Sequence, residues 1–255
     1  MSLAEKVVIV TGASSGIGVT TAVAFAKQGA KVAIVGRNEA NLKATEAACK
    51  AINHKTKILT IAADVTVDAE RIINETIAKF GQLDVLVNNA GIGGLGDILS
   101  IGVDQFDSLL NTNLRSVFLL TKFAAPHLIK TQGNIVNVSS IAGLRAFANA
   151  SVYCTSKAAL EQFSRCIALD LAPHSVRVNV VSPGTIVTQF HKRLGMSDEQ
   201  YAQYLERGKQ THALGRIGTT KEVADAIIFL AGDTASFVTG ATIPLDGGKH
   251  AMCPR

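Results

Sequence analysis

The sequence predicts an α/β protein with a single doubly wound, parallel β-sheet of about seven strands and helices on both faces. Short segments rich in valine and isoleucine alternate along the chain with longer segments whose apolar residues recur at helical spacing. The short segments are apolar almost without interruption, as expected for strands that are buried on both faces. Because no linker, repeat or low-complexity segment interrupts the 255 residues, we expect residues 1–255 to form one domain.

The predicted strands and helices alternate in order along the chain. The predicted strands are Lys6–Thr11, Val32–Val35, Lys57–Ile61, Leu83–Val87, Ile135–Val138, Val176–Val181 and Ala241–Leu245. The predicted helices are Val19–Gln28, a helix ending near Ile52, and helices over about Val67–Phe80, Val103–Ile129, Ser151–Leu171 and Thr220–Ala231. Pro126 is expected to bend or nearly end its helix, and Thr220 is expected to be an N-cap. Repeated β–α units require right-handed crossovers, which place helices on both faces of the sheet.

Composition and charge argue against several classes of function. Hydrophobic residues make up 47% of the chain and charged residues 18%, as in a well-packed globular protein. The net charge of +5 is not gathered into basic runs, and no apolar stretch approaches the length of a membrane span. We therefore expect neither a nucleic acid nor a membrane as a partner. The first six residues do not resemble a signal peptide, which favours a cytoplasmic protein.

The cysteine and histidine residues do not have the spacing of metal ligands. The four cysteines are scattered along the chain, without the spacing of a disulfide framework or a zinc site, and are predicted to be reduced thiols. They are Cys49, Cys154, Cys166 and Cys253. Cys154 adjoins a tyrosine discussed below, but a free cysteine is more often a small buried hydrophobe than a nucleophile. The histidines at His127, His174, His191 and His212 are equally scattered. We therefore expect no metal site.

A glycine-rich turn joins the first strand to the first helix. Glycines allow backbone N–H groups to approach a pyrophosphate closely, and a helix N-terminus supplies a partial positive charge. The spacing is G-x-x-x-G-x-G, unlike the common dinucleotide fingerprint, and the turn lacks the lysine of a P-loop. The alternative is a plain tight turn. The strand–turn–helix setting favours a dinucleotide-binding turn formed by Gly12, Ser14, Ser15, Gly16, Ile17 and Gly18.

A tyrosine and a lysine four positions apart are candidates for acid/base chemistry. Tyr153 and Lys157 fall within one predicted helix, so their side chains project from the same face. An ammonium near a phenol stabilises the phenolate and is expected to lower the pKa of the tyrosine from about 10 toward neutral pH. Ser140 follows a buried strand, where its hydroxyl can donate a hydrogen bond to a substrate oxygen. A surface Tyr/Lys pair on an ordinary helix is the alternative.

These motifs together resemble the short-chain dehydrogenase/reductase family over essentially the whole chain. Within it, the sequence looks most similar to the 3-oxoacyl reductases and hydroxysteroid dehydrogenases. The resemblance rests on Thr11-Gly-x-x-x-Gly-Ile-Gly18, Asp64, Asn88-Asn-Ala-Gly91, Asn113, Ser140 thirteen residues before Tyr153, Lys157, Pro183-Gly184 and Asp246-Gly-Gly248. It implies a Rossmann-type fold and reversible hydride transfer between a nicotinamide cofactor and a ketone or secondary alcohol.

The resemblance also implies a role for each motif residue. Tyr153 would be the acid/base, and Lys157 would lower its pKa and hold the ribose hydroxyls. Ser140 would bind the carbonyl, and Asn113 would fix a water that relays protons to Lys157. The implied cofactor contacts are Asp64 and Val65 at the adenine, Asn89, Ala90 and Gly91 along the adenosine, and Ile186 and Thr188, after Pro183-Gly184, at the nicotinamide carboxamide. Asn113 as a packing residue and Asp64 as a turn former remain alternatives.

The residues after the second strand bear on the choice between NADP(H) and NAD(H). An NAD site commonly has an acidic residue there, whereas an arginine accommodates a 2′-phosphate. This strand ends at Gly36-Arg37, and the first acidic residue is Glu39. A guanidinium forks well onto a phosphate, so NADP(H) is favoured and NAD(H) is the alternative. Arg37 stacking on the adenine is a second reading.

The segment 185–219 is expected to be an irregular lid over the substrate. Its mostly apolar side chains favour a hydrophobic carbonyl compound of the 3-ketosteroid or 3-oxoacyl type: Phe190, His191, Leu194, Met196, Tyr201, Tyr204 and Leu205. An NAD-linked alcohol dehydrogenase and a non-catalytic dinucleotide-binding protein are the alternatives. Apolar residues on more than one face of the Asn113 and Tyr153 helices predict a twofold homo-oligomer. The resemblance points to a tetramer, with the segment from Gly247 at a second interface, and a dimer is the simpler alternative.

Overall fold

The computed structural model describes residues 3–190 and 194–252, so His191 and Cys253 lie outside the described residues. Within these ranges the strands are β1 (Val7–Thr11), β2 (Lys31–Gly36), β3 (Ile58–Ala62), β4 (Val85–Asn88), β5 (Asn134–Val138), β6 (Arg177–Pro183) and β7 (Thr242–Leu245). The α-helices are α1 (Gly16–Lys27), α2 (Glu39–Ile52), α3 (Ala69–Phe80), α4 (Val103–Leu110), α5 (Ser116–Thr131), α6 (Ser151–Leu171), α7 (Asp198–Thr211) and α8 (Thr220–Ala231).

The described strands form one seven-stranded sheet in the order β3-β2-β1-β4-β5-β6-β7. Every neighbouring pair is parallel, which confirms the predicted fold class. The chain builds outward from β1 to β3, then returns to the other side of β1 and builds outward again. This reversal opens a crevice at the carboxyl ends of β1 and β4, the position where doubly wound sheets bind ligands.

Two hydrophobic layers cover the sheet, one on each face. Because successive side chains of a strand point to opposite faces, Val8 and Val10 enter one layer while Val7 and Ile9 enter the other. The first layer includes residues of α1, α2 and α8, and the second includes residues of α3, α5 and α6. All five residues of β1 are buried, which explains why its sequence is an unbroken apolar run.

The helix predicted over Val103–Ile129 is interrupted by a π turn. It consists of α4, a π-helical turn at Asn111–Arg115, and α5. Pro126 neither ends nor nearly ends the helix, because α5 continues to Thr131. Proline removes one N–H from the helical ladder, while Ala124 and Leu128 on either side of it remain fully buried in the core.

The segment 185–219 is more regular than predicted. It contains α7, which begins with a capping box in which Ser197 and Gln200 hydrogen-bond each other's backbone N–H groups. The predicted N-cap Thr220 is the first residue of α8, and Thr219 is the cap, paired in the same way with Glu222. No helix of the described ranges is both long and apolar enough to cross a lipid bilayer.

The packing of α5 on the sheet yields a stability prediction. The side chain of Leu120 is 1% exposed, so Leu120→Ala should leave a cavity and lower the free energy of unfolding by about 2–5 kcal/mol. Leu99 is 93% exposed, and the same change there should alter that free energy by less than about 0.5 kcal/mol. Denaturant unfolding followed by circular dichroism measures both. Equal effects of the two variants would contradict this account of the core.

Candidate active site

A cavity of about 430 Å³ lies along the carboxyl edge of the sheet. It is lined by residues from the ends of β1, β2, β4, β5 and β6 and from α6. All the site residues predicted from the sequence line this cavity except Gly18 and Asn113, which contact the residues that form its wall. The fold therefore collects side chains that are far apart in sequence into one continuous space.

The glycine-rich turn forms one end of the cavity. Gly12 and Gly16 have φ angles of +66° and +55°, a region that side chains other than glycine rarely adopt. Helix α1 begins at Gly16, and its N-cap Ser15 makes no side-chain hydrogen bond to the first turn. These first-turn N–H groups lack a side-chain cap and so suit the pyrophosphate of a dinucleotide.

Gly18 has a packing role instead of a lining role. A Cβ atom there would run into the carbonyl oxygen of Gly12 and lie 2.7 Å from the Nδ2 atom of Asn89. The Asn89 amide donates to the carbonyl of Thr11 at 2.8 Å, and the Thr11 hydroxyl accepts from the backbone N–H of Ala90 at 3.0 Å. These bonds join the ends of β1 and β4 and hold the turn against the loop after β4.

Arg37 and Asp64 lie together at the ends of β2 and β3. The Arg37 side chain is 74% exposed, and its Nη1 atom is 3.6 Å from Oδ2 of Asp64. Although partial burial opposes the effect, hydrogen bonds from Thr66 and the charge of Arg37 hold the pKa of Asp64 below its ordinary value. Asp64 also accepts bonds from the Thr66 N–H and hydroxyl, at 2.9 and 2.7 Å, which stabilise a turn. Asp64 therefore has the geometry of a turn former while it also lines the cavity.

Tyr153 lies in the middle of the cavity wall, on the first turn of α6. Burial raises the pKa of its phenol to about 12, although a hydrogen bond from Ser140 acts in the opposite direction. Ser140 follows β5, and its hydroxyl also accepts the backbone N–H of Ala142 at 3.1 Å. The Ser140 and Tyr153 side chains are thus brought together as the sequence predicts.

The pKa of Tyr153 in the polypeptide lies above its ordinary value, so the predicted net lowering is wrong for the polypeptide alone. The Lys157 ammonium lies 5.9 Å from the centroid of the Tyr153 ring and donates to the carbonyl of Val138 at 3.0 Å. Burial lowers the pKa of Lys157 to about 8, against the opposing charge of Glu161. Desolvation disfavours both the ammonium and the phenolate, so it outweighs their mutual attraction.

Glu161, one helical turn beyond Lys157, is a buried carboxylate that the sequence analysis did not single out. It is 2% exposed and accepts hydrogen bonds from the hydroxyls of Ser139 and Ser182 at 2.9 and 2.8 Å. These two serines follow or end β5 and β6, so the carboxylate joins both strand ends to α6. Its negative charge favours the protonated form of Lys157.

Asn113 lies in the π turn, behind the loop that follows β4. Its side-chain amide donates to the carbonyl of Ile92 at 2.9 Å and to the hydroxyl of Ser156 at 3.1 Å. Its oxygen accepts the N–H of Ile92 at 2.9 Å. A Cβ atom at Gly91 would lie 3.2 Å from this oxygen and 3.4 Å from the Lys157 ammonium nitrogen, so both groups approach the same glycine.

The segment after β6 also lines the cavity. Of the apolar set predicted there, the lining residues are Phe190, Leu194, Met196 and Tyr204. Tyr201 is buried and its hydroxyl bonds the backbone of Thr188, whereas Leu205 does not line the cavity. Two further lining residues, Phe147 and Lys249, were missed by the sequence analysis. The position of Lys249 just after the last strand was the available signal.

Metal ligation receives no support from the described part of the chain. Within residues 3–190 and 194–252, no three His, Cys, Asp or Glu side chains are grouped closely enough to hold a metal ion. His212 is buried, with its Nδ1 atom 2.6 Å from the carbonyl of Gly208 and its Nε2 atom accepting the N–H of Thr185 at 3.3 Å. Burial lowers the pKa of His212, which favours this neutral form.

Comparison with known proteins identifies relatives over nearly the full chain. A family model described as enoyl-(acyl carrier protein) reductase matches residues 12–250. An uncharacterized oxidoreductase of Thermotoga maritima is 40% identical over 99% of this chain and 100% of its own length. Meso-2,3-butanediol dehydrogenase of Serratia marcescens is 36% identical over 98% of this chain and 97% of its own.

A solved structure gives the same result in three dimensions. The Caenorhabditis elegans short-chain dehydrogenase/reductase of unknown function, crystallised with cofactor, is 37% identical and superposes with a TM-score of 0.92. The match covers 98% of this chain and 97% of that one. Sequence and fold thus agree over nearly the whole chain. The protein therefore belongs to the short-chain dehydrogenase/reductase family and is an NAD(P)-dependent oxidoreductase that acts on CH–OH groups.

Proposed function

We propose that the protein transfers a hydride reversibly between NADP(H) and a hydrophobic ketone or secondary alcohol, with Tyr153 as the acid/base. The observation that carries this proposal is the convergence of Tyr153, Ser140 and Lys157 in the same cavity as the glycine-rich turn. A protein that only bound a dinucleotide would have no use for a phenol hydrogen-bonded to a serine beside the cofactor space. The alternative of a non-catalytic binding protein is therefore less well supported.

The proposed residue roles follow from this arrangement. When bound, the nicotinamide ring supplies the hydride in reduction, accepts it in oxidation, and in its oxidised form brings a positive charge near the phenol. In reduction, the Tyr153 hydroxyl gives its proton to the carbonyl oxygen as the carbonyl carbon receives the hydride. Ser140 donates a hydrogen bond that holds the same oxygen. In oxidation each transfer runs in reverse, and the Tyr153 phenolate accepts the proton.

Lys157 and Asn113 are proposed to support the reaction without exchanging a proton with the substrate directly. We assign Lys157 to the ribose hydroxyls and to the electrostatic support of Tyr153. The Asn113 side chain is committed to Ile92 and Ser156. A proton-relaying water at Asn113 would therefore be held by the backbone of the π turn, where the regular helical hydrogen-bond pattern is broken. Asn113 is accordingly proposed as a positioning residue.

The remaining cofactor contacts are proposed as the resemblance implies. The glycine-rich turn would hold the pyrophosphate, Asp64 and Val65 the adenine, and Asn89 to Gly91 the adenosine side. Ile186 and Thr188 would hold the nicotinamide carboxamide, and Pro183 and Gly184 before them would also border the cofactor. All of these positions except Gly18 of the turn line the cavity.

NADP(H) is proposed as the preferred cofactor because the exposed Arg37 guanidinium stands at the end of β2. A 2′-phosphate would gain a charge-assisted hydrogen bond there. The carboxylate of Asp64, 3.6 Å from the guanidinium, works in the other direction, because it repels a phosphate and can accept from ribose hydroxyls. This observation makes an NAD-linked alcohol dehydrogenase the second candidate.

The proposed substrate is a hydrophobic carbonyl compound of the 3-ketosteroid or 3-oxoacyl type. Its support is the apolar wall formed by Phe190, Leu194 and Met196 beside Tyr153. The Phe190 ring lies 6.1 Å from the Tyr153 ring, so this segment borders the reacting centre directly. We propose that the segment 185–219, including α7, acts as the substrate lid of a single domain over residues 1–255.

We also propose a homotetramer assembled through α4, α5 and α6. Phe106 and Phe118 are 41% and 46% exposed, and Phe118 packs edge-on against Phe163 at 6.2 Å between ring centroids. These residues belong to an apolar surface that assembly would cover. The segment from Gly247 is proposed at a second interface.

A cofactor titration tests the role of Arg37. Arg37→Ala should weaken NADPH binding by about 1–3 kcal/mol and leave NADH binding nearly unchanged, because only NADPH carries the 2′-phosphate. Lys43→Ala removes an exposed cation on α2 and should change the binding of neither cofactor. Fluorescence titration of each variant measures the dissociation constants. Equal losses for the two cofactors in Arg37→Ala would refute the assignment.

The pH dependence of kcat/KM tests the acid/base assignment. Alcohol oxidation needs the ionised phenol and should rise with pH, whereas ketone reduction needs the protonated phenol and should fall. In the polypeptide, where burial is the largest cause, the pKa of Tyr153 is raised to about 12. The positive charge of oxidised cofactor should therefore place the rising limb of the oxidative pH profile below that value. Lys157→Met should move the limb to higher pH.

Three variants separate the proton donor from its neighbours. Tyr153→Phe should lower turnover by roughly 100- to 10,000-fold and remove the limb, while cofactor binding persists. Ser140→Ala should lower the rate but keep the limb, since it alters only the hold on the carbonyl. Tyr204→Phe, which replaces a different tyrosine of the cavity, should also keep the limb. An unchanged limb with substantial activity in Tyr153→Phe would show that another group carries the proton.

Light scattering tests the assembly. The protein at micromolar concentration should have about four times the 26.7 kDa mass of one chain. Phe118→Glu, which places a charge on the apolar surface, should shift the population to smaller species. A monomeric wild-type protein would contradict the proposed interface.

A further inference from the structure

Lys249 is a cation in the wall of the cavity that none of the proposed catalytic or cofactor roles uses. It follows Asp246-Gly-Gly248 after β7 and begins a short helical turn at Lys249–Ala251. The side chain is half-buried and lines the same cavity as Tyr153. Its ammonium donates to the Thr185 hydroxyl at 3.3 Å and lies 5.8 Å from the centroid of the Phe147 ring.

This ammonium has no carboxylate within ion-pair distance among the residues that the structure describes. The nearby carboxylate of Asp246 is engaged elsewhere, since it accepts the N–H groups of Gly248 and His250 at 3.1 and 2.6 Å. The imidazole Nδ1 of His250 lies 2.9 Å from the same carboxylate. Lys249 is therefore partly desolvated with one hydroxyl and one aromatic face as its contacts.

The electrostatics of this corner favour an incoming negative charge. Burial lowers the pKa of Lys249. The negative charge of Asp246 acts to raise this pKa, and the positive charge of Arg207 on α7 acts to lower it further. Arg207 is exposed, so it adds positive potential near Lys249 without occupying the cavity. An anion beside Lys249 would compensate the lost hydration of the ammonium through a charge-assisted hydrogen bond.

The corner is connected to the reacting centre through polar groups. The Thr185 hydroxyl contacts the Lys249 ammonium and also lies 3.2 Å from the Tyr204 hydroxyl. Tyr204 in turn is near enough to Tyr153 to influence its phenol electrostatically. A substrate whose oxygen meets Tyr153 can therefore extend along the apolar wall toward Lys249. The pyrophosphate of a cofactor is assigned to the glycine-rich turn, so it does not need Lys249.

We propose that Lys249 binds a carboxylate of the substrate, so that the substrate is a keto acid or the corresponding hydroxy acid. An apolar chain separates its carbonyl from the acid group, in keeping with the walls formed by Phe147, Phe190 and Met196. Lys249 is thus a specificity-determining residue at a substrate subsite. The inference rests on the proposed function and narrows its substrate from any hydrophobic carbonyl compound to one with an anionic end.

Matched acid and ester substrates test the subsite. Straight-chain keto acids with the ketone at different distances from the carboxylate, and their methyl esters, are compared by kcat/KM. The wild-type enzyme should prefer at least one acid over its ester by roughly tenfold or more. Lys249→Met should lower kcat/KM for that acid by roughly 10- to 100-fold, mainly through KM, while ester turnover changes by less than about threefold. Lys43→Met, an exposed lysine on α2, should change neither.

Binding measurements separate this inference from the proposed function. Straight-chain carboxylates and their methyl esters are titrated by calorimetry into wild-type, Lys249→Met and Lys43→Met proteins saturated with cofactor. If Lys249→Met weakens carboxylate binding and Lys43→Met does not, the subsite is supported. This result would stand even if the protein turned over no carbonyl compound; the proposed function would then fail while the subsite remained. Equal loss of acid and ester turnover in Lys249→Met, or a wild type that neither prefers acids nor binds carboxylates, overturns the subsite and leaves carbonyl reduction standing.

Discussion

Parallel strands need a crossover for every connection, and this constraint determines where the chemistry of the protein can lie. Each strand runs in the same direction, so all the loops that follow strands meet at one edge of the sheet. The reversal of strand order between β1 and β4 then separates the outgoing helices and leaves space between them. Hydrogen bonds from Asn89 and Ala90 to Thr11 hold the two loops at this point together, and the glycine-rich turn lies against them.

Desolvation controls the electrostatics of the site that this edge creates. Tyr153 and Lys157 share a helix face, with the ammonium 5.9 Å from the centroid of the tyrosine ring, yet burial favours the neutral form of each. The polypeptide partly compensates with the buried carboxylate of Glu161 and a hydrogen bond from Ser140. An additional positive charge in this cavity would favour the phenolate of Tyr153, as the proposed acid/base role requires.

The cavity also combines an apolar wall with the half-buried cation of Lys249. The lid segment supplies Phe190 and Met196, and the turn after β7 supplies Lys249. Elements that are distant in sequence thus meet in one cavity: the ends of β1, β2 and β4 line it together with the segments after β6 and β7.

The sequence by itself determined the fold class and the seven strands, because these depend on local patterns. Unbroken valine and isoleucine runs require burial on both faces, and glycines before a helix require a close backbone approach. Only the tertiary structure revealed the π turn at Asn113, the helix α7, the packing role of Gly18 and the raised pKa of Tyr153. It also showed that Lys249 enters the cavity. Each of these depends on which groups from distant segments lie nearby and how much water they exclude, and spacing along the chain carries no record of either.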